Sequence, residues 1–394
     1  MIFRHLPPSW RHRTAIPVFL VSLALSSFSL SACNLAAQGP KNSSPSTAST
    51  ATATHPLIAA ATAANATAAS KEAARRQIIA GTFIVGVRNY TEAKQALAQG
   101  VGGIFIPSWA DPALLTTAGQ DLVALRKETG RDFTVAIDFE GGRVQRHSEI
   151  LGTLPPARIM ADTLGPEEVY ELGLNIGKRL AEHGFNVDFA PVVDVDYANL
   201  EVIGDRAFAN RPDIVAKYSQ AFGRGLRDAG ITPVLKHFPG HGAATGDTHT
   251  GTVHSPPLEV LEATELQVYA QLLKELPEAA VMMSHLIVPG LSSPDLPASL
   301  DPAVYKLLRT GGYAGGTAPA FTGTIYTDDL SGMLAVTGTR STATAALAAL
   351  KAGADRVLWS SGDNIAETID LISAAIDSGE LSFEQISSAF LSTR

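Results

Sequence analysis

Eight short apolar runs alternate with helical patterns along most of this chain, and this alternation restricts the possible folds more than any other feature. The runs have few polar interruptions, as parallel strands do when helices cover both faces of their sheet. They span Thr82–Val87, Gly103–Pro107, Phe133–Asp138, Val187–Val193, Thr232–His237, Ala280–Val288, Thr324–Thr327 and Asp355–Ser360. Eight strand–helix units are the number found in a (β/α)8 barrel. The sequence therefore predicts an α/β fold of the TIM-barrel type.

The segments between these runs have the spacing of amphipathic helices. Examples are Pro166–Glu182, Pro212–Ala229, Leu258–Leu276 and Thr342–Ala352. The competing fold is a doubly wound open sheet. However, Gly86-Val87-Arg88-Asn89 after the first run lacks the glycine spacing of a phosphate-binding loop, so the barrel is favoured.

The N-terminus is typical of a secretory signal, because Arg4, Arg11 and Arg13 precede an uncharged stretch that ends at Ala32. This stretch is marginal for a membrane span, which needs about 20 apolar residues. It leads into Leu30-Ser31-Ala32-Cys33, which resembles the bacterial lipoprotein processing site, and Cys33 is the only cysteine of the chain. We predict a signal peptide over residues 1–32, lipidation of Cys33, and an extracytoplasmic protein anchored to the bacterial cell membrane. An ordinary signal peptide or an uncleaved anchor is the alternative.

Residues 34 to about 70 consist mostly of Ala, Thr, Ser, Asn and Pro, and such a segment buries too little surface to offset its ordering entropy. We predict a flexible linker over residues 33–73, in which Ala59–Ala69 has some tendency to form helix, and a single (β/α)8 domain over residues 74–394. With 38 acidic and 30 basic residues the net charge is −8, so the chain lacks the basic footprint of a nucleic-acid-binding protein.

Polar clusters follow five successive strands of the predicted barrel, where the active sites of such barrels lie. They are Asp138–Arg146, Asp194–Asp196 with Gly204–Phe208, Lys236–Gly242 with Asp247–His249, Ser284-His285, and Thr327–Leu330. Five clusters at successive strand ends predict one shared site.

Here the sequence resembles a known family. The run Lys236-His237-Phe238-Pro239-Gly240-His241-Gly242, with Asp247-Thr248-His249 beyond it, is similar to the signature of family 3 glycoside hydrolases. More narrowly, it resembles their single-domain β-N-acetylhexosaminidase branch, whose other motifs match Glu140–Arg146, Gly204–Phe208 and Thr327–Leu330 in the same order. Other family members add a second domain that carries their acid catalyst. Because this chain ends after the eighth strand, we expect its acid within the barrel.

The resemblance implies a retaining β-N-acetylglucosaminidase that removes terminal N-acetylglucosamine from cell-wall muropeptides or related glycans. Asp328 would be the nucleophile that forms a covalent glycosyl-enzyme. His249, oriented by Asp247, would be the acid/base, since an imidazole can donate and accept protons near neutral pH. Asp329 is the rival nucleophile, but successive strand residues point to opposite faces, so only one of the two should face the sugar.

The resemblance also assigns sugar-binding residues, namely Asp138, Arg146, Arg206, Lys236 and His237. The alternative for the arginines is ion pairing that stiffens the barrel mouth. Asp194 and Asp196 are expected to support these residues, whereas His241 and His285 are expected to be packed. Because the spacing from His237 through His241 to His249 fits no zinc pattern, we predict neither a metal nor a cofactor.

Three alternatives remain open from the sequence. The same Asp247–His249 pair could serve a phosphorylase, with phosphate instead of water as the acceptor. The substrate's own acetamido oxygen could attack while Asp328 only orients it. A non-catalytic, sugar-binding surface lipoprotein would tolerate the loss of Asp328 or His249, yet both are present. We expect a monomer whose partners are an N-acetylglucosamine-containing glycan and, through the lipid alone, a membrane.

Overall fold

The computed structural model describes residues 55–392, and its centre is a parallel eight-stranded sheet. The strands are β1 (Phe83–Gly86), β2 (Gly103–Phe105), β3 (Thr134–Ile137), β4 (Val187–Asp188), β5 (Thr232–Phe238), β6 (Ala280–Met283), β7 (Ile325–Thr327) and β8 (Val357–Trp359). Their order is β8-β1-β2-β3-β4-β5-β6-β7, and a parallel bridge between Tyr326 and Arg356 joins the two ends. The predicted (β/α)8 barrel is confirmed.

Helices surround this sheet. Within the described residues they are α1 (Pro56–Thr62), α2 (Ala68–Ala80), α3 (Tyr90–Ala98), α4 (Ala113–Thr116), α5 (Leu122–Thr129), α6 (Ser148–Leu151), α7 (Ala157–Thr163), α8 (Pro166–Glu182), α9 (Pro212–Asp228), α10 (Leu258–Ala263), α11 (Glu265–Glu275), α12 (Pro302–Thr310), α13 (Tyr313–Gly316), α14 (Leu334–Thr337), α15 (Thr342–Ala352), α16 (Ile365–Asp377) and α17 (Phe383–Leu391). Two 3-10 turns lie at Gly204–Arg206 and Ala298–Leu300, and a hairpin pairs Phe139–Gly141 with Val144–Gln145.

The core has two layers because the side chains of each strand alternate between the two faces of the sheet. Phe83 and Val85 of β1 point outward into the large cluster beneath the helices, whereas Ile84 points into the barrel. The barrel interior is filled by Ile84, Phe105, Ala136, Val187, Phe189, Val234, Ala280, Met282, Tyr326 and Leu358. Both faces of the strands are therefore apolar, which explains their continuous hydrophobic runs.

Most strands are shorter than the sequence predicts. The predicted run Val187–Val193 forms only the two-residue strand β4, after which Phe189 and Val193 still donate single backbone hydrogen bonds to Ile137 and Lys236. The predicted helix Leu258–Leu276 is interrupted at Thr264, whose hydroxyl donates to the carbonyl of Val260. The backbone of Thr264 has φ −127° and ψ −99°, outside the helical region, so one helix ends and the next begins there.

Helical structure extends N-terminal to the predicted domain boundary at residue 74. Helix α1 and the first half of α2 fall in the segment predicted as a flexible linker, and Leu57, Ile58 and Ala61 of α1 pack against the core. These few apolar side chains are hard to recognise in a sequence dominated by Ala and Thr. The predicted signal peptide and Cys33 lie outside the described residues. Between residues 55 and 392, no helix combines the length and apolar character needed to cross a membrane.

Candidate active site

A cavity of about 180 Å³ lies at the carboxyl ends of the strands, and we call it the mouth cavity. Asp138, Arg146, His249 and Asp328 line it together, although they come from the loops after β3, β5 and β7. Its apolar lining comes from Phe105, Phe189, Met282 and Leu358 of the barrel interior. The structure thus brings both proposed catalytic side chains and two of the proposed sugar ligands to one small space.

A buried charge cluster lies beside this cavity. The Lys236 Nζ is 2.8 Å from Oδ1 of Asp138 and 2.6 Å from Oε1 of Glu140. Arg206 donates through Nε and Nη2 to the two carboxylate oxygens of Glu140, at 2.7 and 2.8 Å. Burial opposes the charge on Glu140, but Arg206 and Lys236 outweigh it and hold its pKa well below the usual range. Burial likewise opposes the charge on Lys236, yet Asp138 and Glu140 raise its pKa.

Arg206 has a different surrounding from Arg146. Arg146 lines the mouth cavity and lies 3.6 Å from Asp138. Arg206 lines a neighbouring cavity of about 590 Å³, and its guanidinium forms an ion pair with Glu140. Sequence reasoning did not assign a role to Glu140. Its position two residues after Asp138, in the same polar run, was the available signal.

His237 is held by Asp194 underneath the mouth. Its Nδ1 donates to Oδ2 of Asp194 at 2.7 Å, and Oδ1 of Asp194 accepts the backbone N–H groups of His237 and His241. Burial raises the pKa of Asp194, but the neighbouring His237 and His241 outweigh that effect and lower it. Asp194 therefore fixes both the ring of His237 and the turn that follows β5.

The two aspartates after β7 make different contacts. Asp328 lines the mouth cavity, and its Oδ1 accepts the N–H of Asp329 at 2.9 Å. Burial raises the pKa of Asp328, but His237, His285, the Asp329 N–H and Lys236 together outweigh it and lower that pKa, which favours a carboxylate. Asp329 also borders the cavity, but its carboxylate accepts the N–H groups of Ser331 and Ser360, so it ties the loops after β7 and β8 together.

The other polar residues near the mouth have structural contacts. His285 is buried, with Nδ1 2.7 Å from the Ser299 hydroxyl and Nε2 3.0 Å from the carbonyl of Asp329. His241 is also buried, and burial lowers the pKa of both histidines. Asp196 pairs with Arg158 at 3.2 Å.

The Asp247–His249 pair lies on an exposed loop. The His249 Nδ1 donates to Oδ1 of Asp247 at 2.7 Å, and the same oxygen accepts the His249 backbone N–H at 2.9 Å. Burial raises the pKa of Asp247, but these contacts outweigh it and lower the pKa. The His249 ring lines both the mouth cavity and the neighbouring cavity. Its Nε2 makes no hydrogen bond to another described residue.

Sequence reasoning also missed Trp109 and Asp188. Trp109 lines the mouth cavity and is 46% exposed, with Arg88 over its ring. Asp188 is fully buried, its Oδ1 accepts the N–H of Phe139, and its Oδ2 has no hydrogen-bond partner among the described residues. Burial raises the pKa of Asp188 to about 8. A lone acid inside the apolar run of β4 was the only signal for it.

In the part of the chain that the structure describes, no group of three or more His, Cys, Asp or Glu side chains is arranged to hold a metal ion. His237 and His241 are held through Asp194, and His249 lies on the separate loop with Asp247. The three histidines of the β5 region therefore do not form a ligand set.

Comparisons with known proteins agree with this architecture. Residues 76–391 match the family model described as "Glycosyl hydrolase family 3 N terminal domain". The chain is 42% identical over 306 residues to the protein named "Beta-hexosaminidase LpqI" of Mycobacterium tuberculosis (strain ATCC 25618 / H37Rv), and the match covers 77% of each protein. The crystal structure of a family 3 glycosyl hydrolase from Mycobacterium smegmatis str. MC2 155 has a TM-score of 0.76 and 45% identity, over 80% of this chain and 94% of that chain. A family 3 β-N-acetylglucosaminidase from Paenibacillus sp. str. FPU-7 has a TM-score of 0.72 and 29% identity, over 80% of this chain and 60% of that chain.

Proposed function

The chain belongs to glycosyl hydrolase family 3, and from this premise we propose that it is a β-hexosaminidase, more narrowly a retaining β-N-acetylglucosaminidase. In this proposal Asp328 is the nucleophile and His249 is the acid/base. The observation that carries the proposal is that Asp328 and His249 line the same 180 Å³ cavity. The names of the M. tuberculosis and Paenibacillus relatives support the reaction class.

The first step forms the glycosyl-enzyme. The Asp328 carboxylate attacks the anomeric carbon, and the bond from that carbon to the leaving oxygen breaks. His249 donates its Nε2 proton to that oxygen, while Asp247 accepts the Nδ1–H and stabilises the charged ring. The low pKa of Asp328 keeps the nucleophile ionised while the acid is protonated.

The second step releases the sugar. His249, now neutral at Nε2, takes a proton from water as the water oxygen attacks the same anomeric carbon. The Asp328–sugar bond breaks, and both side chains return to their starting states. An exposed imidazole suits this exchange because it can equilibrate its proton with solvent.

The charge cluster and its neighbours bind the terminal sugar in this proposal. Asp138 and Arg146 line the mouth cavity, Lys236 is held by its ion pair with Asp138, and His237 is held by its hydrogen bond to Asp194. Charged donors and acceptors held in this way match a ring lined with hydroxyl groups. Arg206 would act on the sugar or through Glu140, to which it is bound.

We further propose that the substrate is a cell-wall muropeptide or a related glycan outside the cytoplasm, met by a protein anchored through lipidated Cys33. The support is the Leu30-Ser31-Ala32-Cys33 site behind an apolar signal-like stretch. Intact mass should show a mature chain that begins at a diacylated Cys33, and Cys33→Ala should release or misprocess it. Retention of residues 1–32 would contradict the anchor.

The reaction is tested with a chromogenic N-acetyl-β-glucosaminide beside the plain β-glucoside, with phosphate varied. We expect turnover of the first, far slower turnover of the second, and free N-acetylglucosamine as product at every phosphate concentration. A sugar phosphate as product would make the enzyme a phosphorylase.

The nucleophile is tested by trapping the intermediate and sequencing the peptide around Thr327-Asp328-Asp329 by mass spectrometry. We expect the adduct on Asp328, and Asp328→Asn should abolish turnover of every substrate. An adduct on Asp329, or none in a turning-over enzyme, would mean that Asp328 has another role. A non-catalytic sugar-binding protein would turn over neither substrate.

A further inference from the structure

The loop that carries His249 touches the rest of the domain at few points. At its base, the N–H of Thr245 donates to the carbonyl of His254 at 2.9 Å, and the N–H of His254 donates to the Thr245 hydroxyl at 3.0 Å. Between residues 245 and 252 the only buried residue is Thr248, which is 4% exposed. A side chain added at Gly251 would meet nothing within 4 Å. The tip is therefore in open space except at Thr248.

Thr248 is joined to the segment that follows the nucleophile. Its carbonyl accepts the N–H of Ala335 at 3.1 Å, and its hydroxyl donates to the sulfur of Met333 at 3.4 Å. Ala335 lies in the first turn of α14, where backbone N–H groups have no acceptor within the helix. Among the described residues, these two hydrogen bonds are the only ones that join residues 246–251 to another element. We call this contact of Thr248 with Met333 and Ala335 the clasp.

The clasp connects the two halves of the proposed mechanism. Met333 lines the mouth cavity beside Asp328 and His249, and Thr248 stands between Asp247 and His249 in the chain. We propose that Thr248 is a positioning residue, which docks the loop on the β7 segment and so holds the His249 imidazole at the mouth cavity opposite Asp328. This inference rests on the proposed function of His249. Thr248 itself is not among the residues that line the cavity.

The strength of the clasp suits a contact that is made and broken in each turnover. A thioether sulfur is a weak acceptor, and one backbone hydrogen bond shifts an equilibrium by about tenfold at most. Docking would place the proton donor, and release would open the cavity for product to leave.

The test is a series at one position, with Thr248→Ser, Thr248→Val and Thr248→Ala beside the control Thr252→Ala, an exposed threonine of the same loop. The substrates are chitobiose, which needs a proton on its leaving oxygen, and the 2,4-dinitrophenyl N-acetylglucosaminide, which does not. Thr248→Ala removes the hydroxyl bond to Met333 but keeps the backbone bond to Ala335, so for formation of the glycosyl-enzyme we expect a loss of about threefold with chitobiose and of less than about 1.5-fold with the aryl substrate. Thr248→Val should lose less, because it keeps the shape, and Thr248→Ser and Thr252→Ala should match the wild type.

Amide hydrogen exchange of Ala335 measures docking without any turnover. We expect faster exchange in Thr248→Ala than in the wild type and no change in Thr252→Ala. Unchanged exchange, or an equal kinetic loss for both substrates, would overturn the clasp as a positioning contact. If His249→Ala itself showed no dependence on the leaving group, the proposed acid/base would fail, and the exchange measurement would still decide whether Thr248 docks the loop.

Discussion

Two histidine–aspartate pairs in this protein have the same hydrogen-bond length and opposite surroundings. The Nδ1 to Oδ distance is 2.7 Å in both His237–Asp194 and His249–Asp247. The side chains of the first pair are 8% and 0% exposed, and those of the second are 55% and 37% exposed. The first is fixed on a strand end under the mouth cavity, whereas the second is on a loop that reaches over it.

We expect these surroundings, and not the pair itself, to decide what each histidine does. A buried pair is held rigidly and exchanges protons with water poorly, so it suits a fixed hydrogen bond to a sugar hydroxyl. An exposed pair on a loop can gain and lose a proton in each catalytic cycle. Both rings are oriented by a carboxylate at Nδ1, which leaves Nε2 as the other ring nitrogen in each.

The largest expected effect separates the two rings by their response to the leaving group. His249→Ala should lower glycosyl-enzyme formation by about 10²- to 10⁴-fold with a sugar leaving group, the usual range for general acid catalysis, and much less with a dinitrophenolate. His237→Asn should lower both rates by the same factor, because it weakens binding of the terminal sugar whatever group departs. The measurement is pre-steady-state kinetics with both substrates.

The control for this comparison is the folded state of each variant, checked by circular dichroism and by its melting temperature Tm. Equal losses for good and poor leaving groups in His249→Ala would remove the distinction between the pairs. A leaving-group dependence in His237→Asn would instead mean that the buried ring moves the proton.

The next effect concerns stability. Asp194→Ala should lower the free energy of unfolding by about 3–5 kcal/mol, because it leaves His237 and two backbone N–H groups buried without their acceptor. Asp247→Ala should change it by about 0–1 kcal/mol, since its hydrogen bond to His249 is exposed to water and contributes little. Urea unfolding at pH 7 measures both. Comparable losses in the two variants would show that the exposed loop is as strongly coupled to the core as the buried pair is.

The barrel was predictable because periodicity and composition are local signals. Eight apolar runs gave the eight strands, and the helices Pro166–Glu182 and Thr342–Ala352 have the predicted ends. The failures were also local in cause. The apolar pattern around β4 continues past a strand of only two residues, and the amphipathic pattern of Leu258–Leu276 is divided at Thr264, whose backbone is not helical.

The site was predictable only where a motif carried it. The grouping of Asp328 and His249 follows from the resemblance to family 3, and the structure places both at one cavity. The pairing of Glu140 with Arg206 and the burial of Asp188 depend on which strands become neighbours. The local pattern of a single sequence does not predict those neighbours. Thr248 stands between the two residues of the motif to which the resemblance assigns roles, and its docking on Met333, 85 residues away in the chain, is not visible in the sequence.

A smaller effect on turnover is expected when Asp247 of the exposed pair keeps its shape and loses its negative charge. Asp247→Asn should lower turnover of chitobiose by about 10- to 100-fold, the value of one hydrogen bond to a charged group, and less than His249→Ala does. The imidazole remains, but its charged form loses the partner that stabilises it. Steady-state kinetics against the Thr252→Ala control measures the loss. A defect equal to that of His249→Ala would make the carboxylate as important as the ring.

The smallest effect tests a third carboxylate, Asp188, which is buried like Asp194 but has no histidine at its side chain. Asp194 has a lowered pKa, so its contribution to stability is present above about pH 4 and is lost as the pH falls below that value. The stability contribution of Asp188 depends on pH in the opposite direction, because burial outweighs the attraction of Lys236 and raises the pKa of Asp188 to about 8. Its contribution is present below about pH 4 and is lost as the pH rises through about 8, by at most about 1.4 kcal/mol for each pH unit. Asp188→Asn keeps the acceptor for the Phe139 N–H and cannot ionise. When the pH is raised from 6 to 7, the Tm of this variant should therefore fall by a few degrees less than the Tm of the wild type does. The same pH dependence in both proteins would mean that Asp188 is already ionised in the fold, and that burial without a partner does not separate it from Asp194.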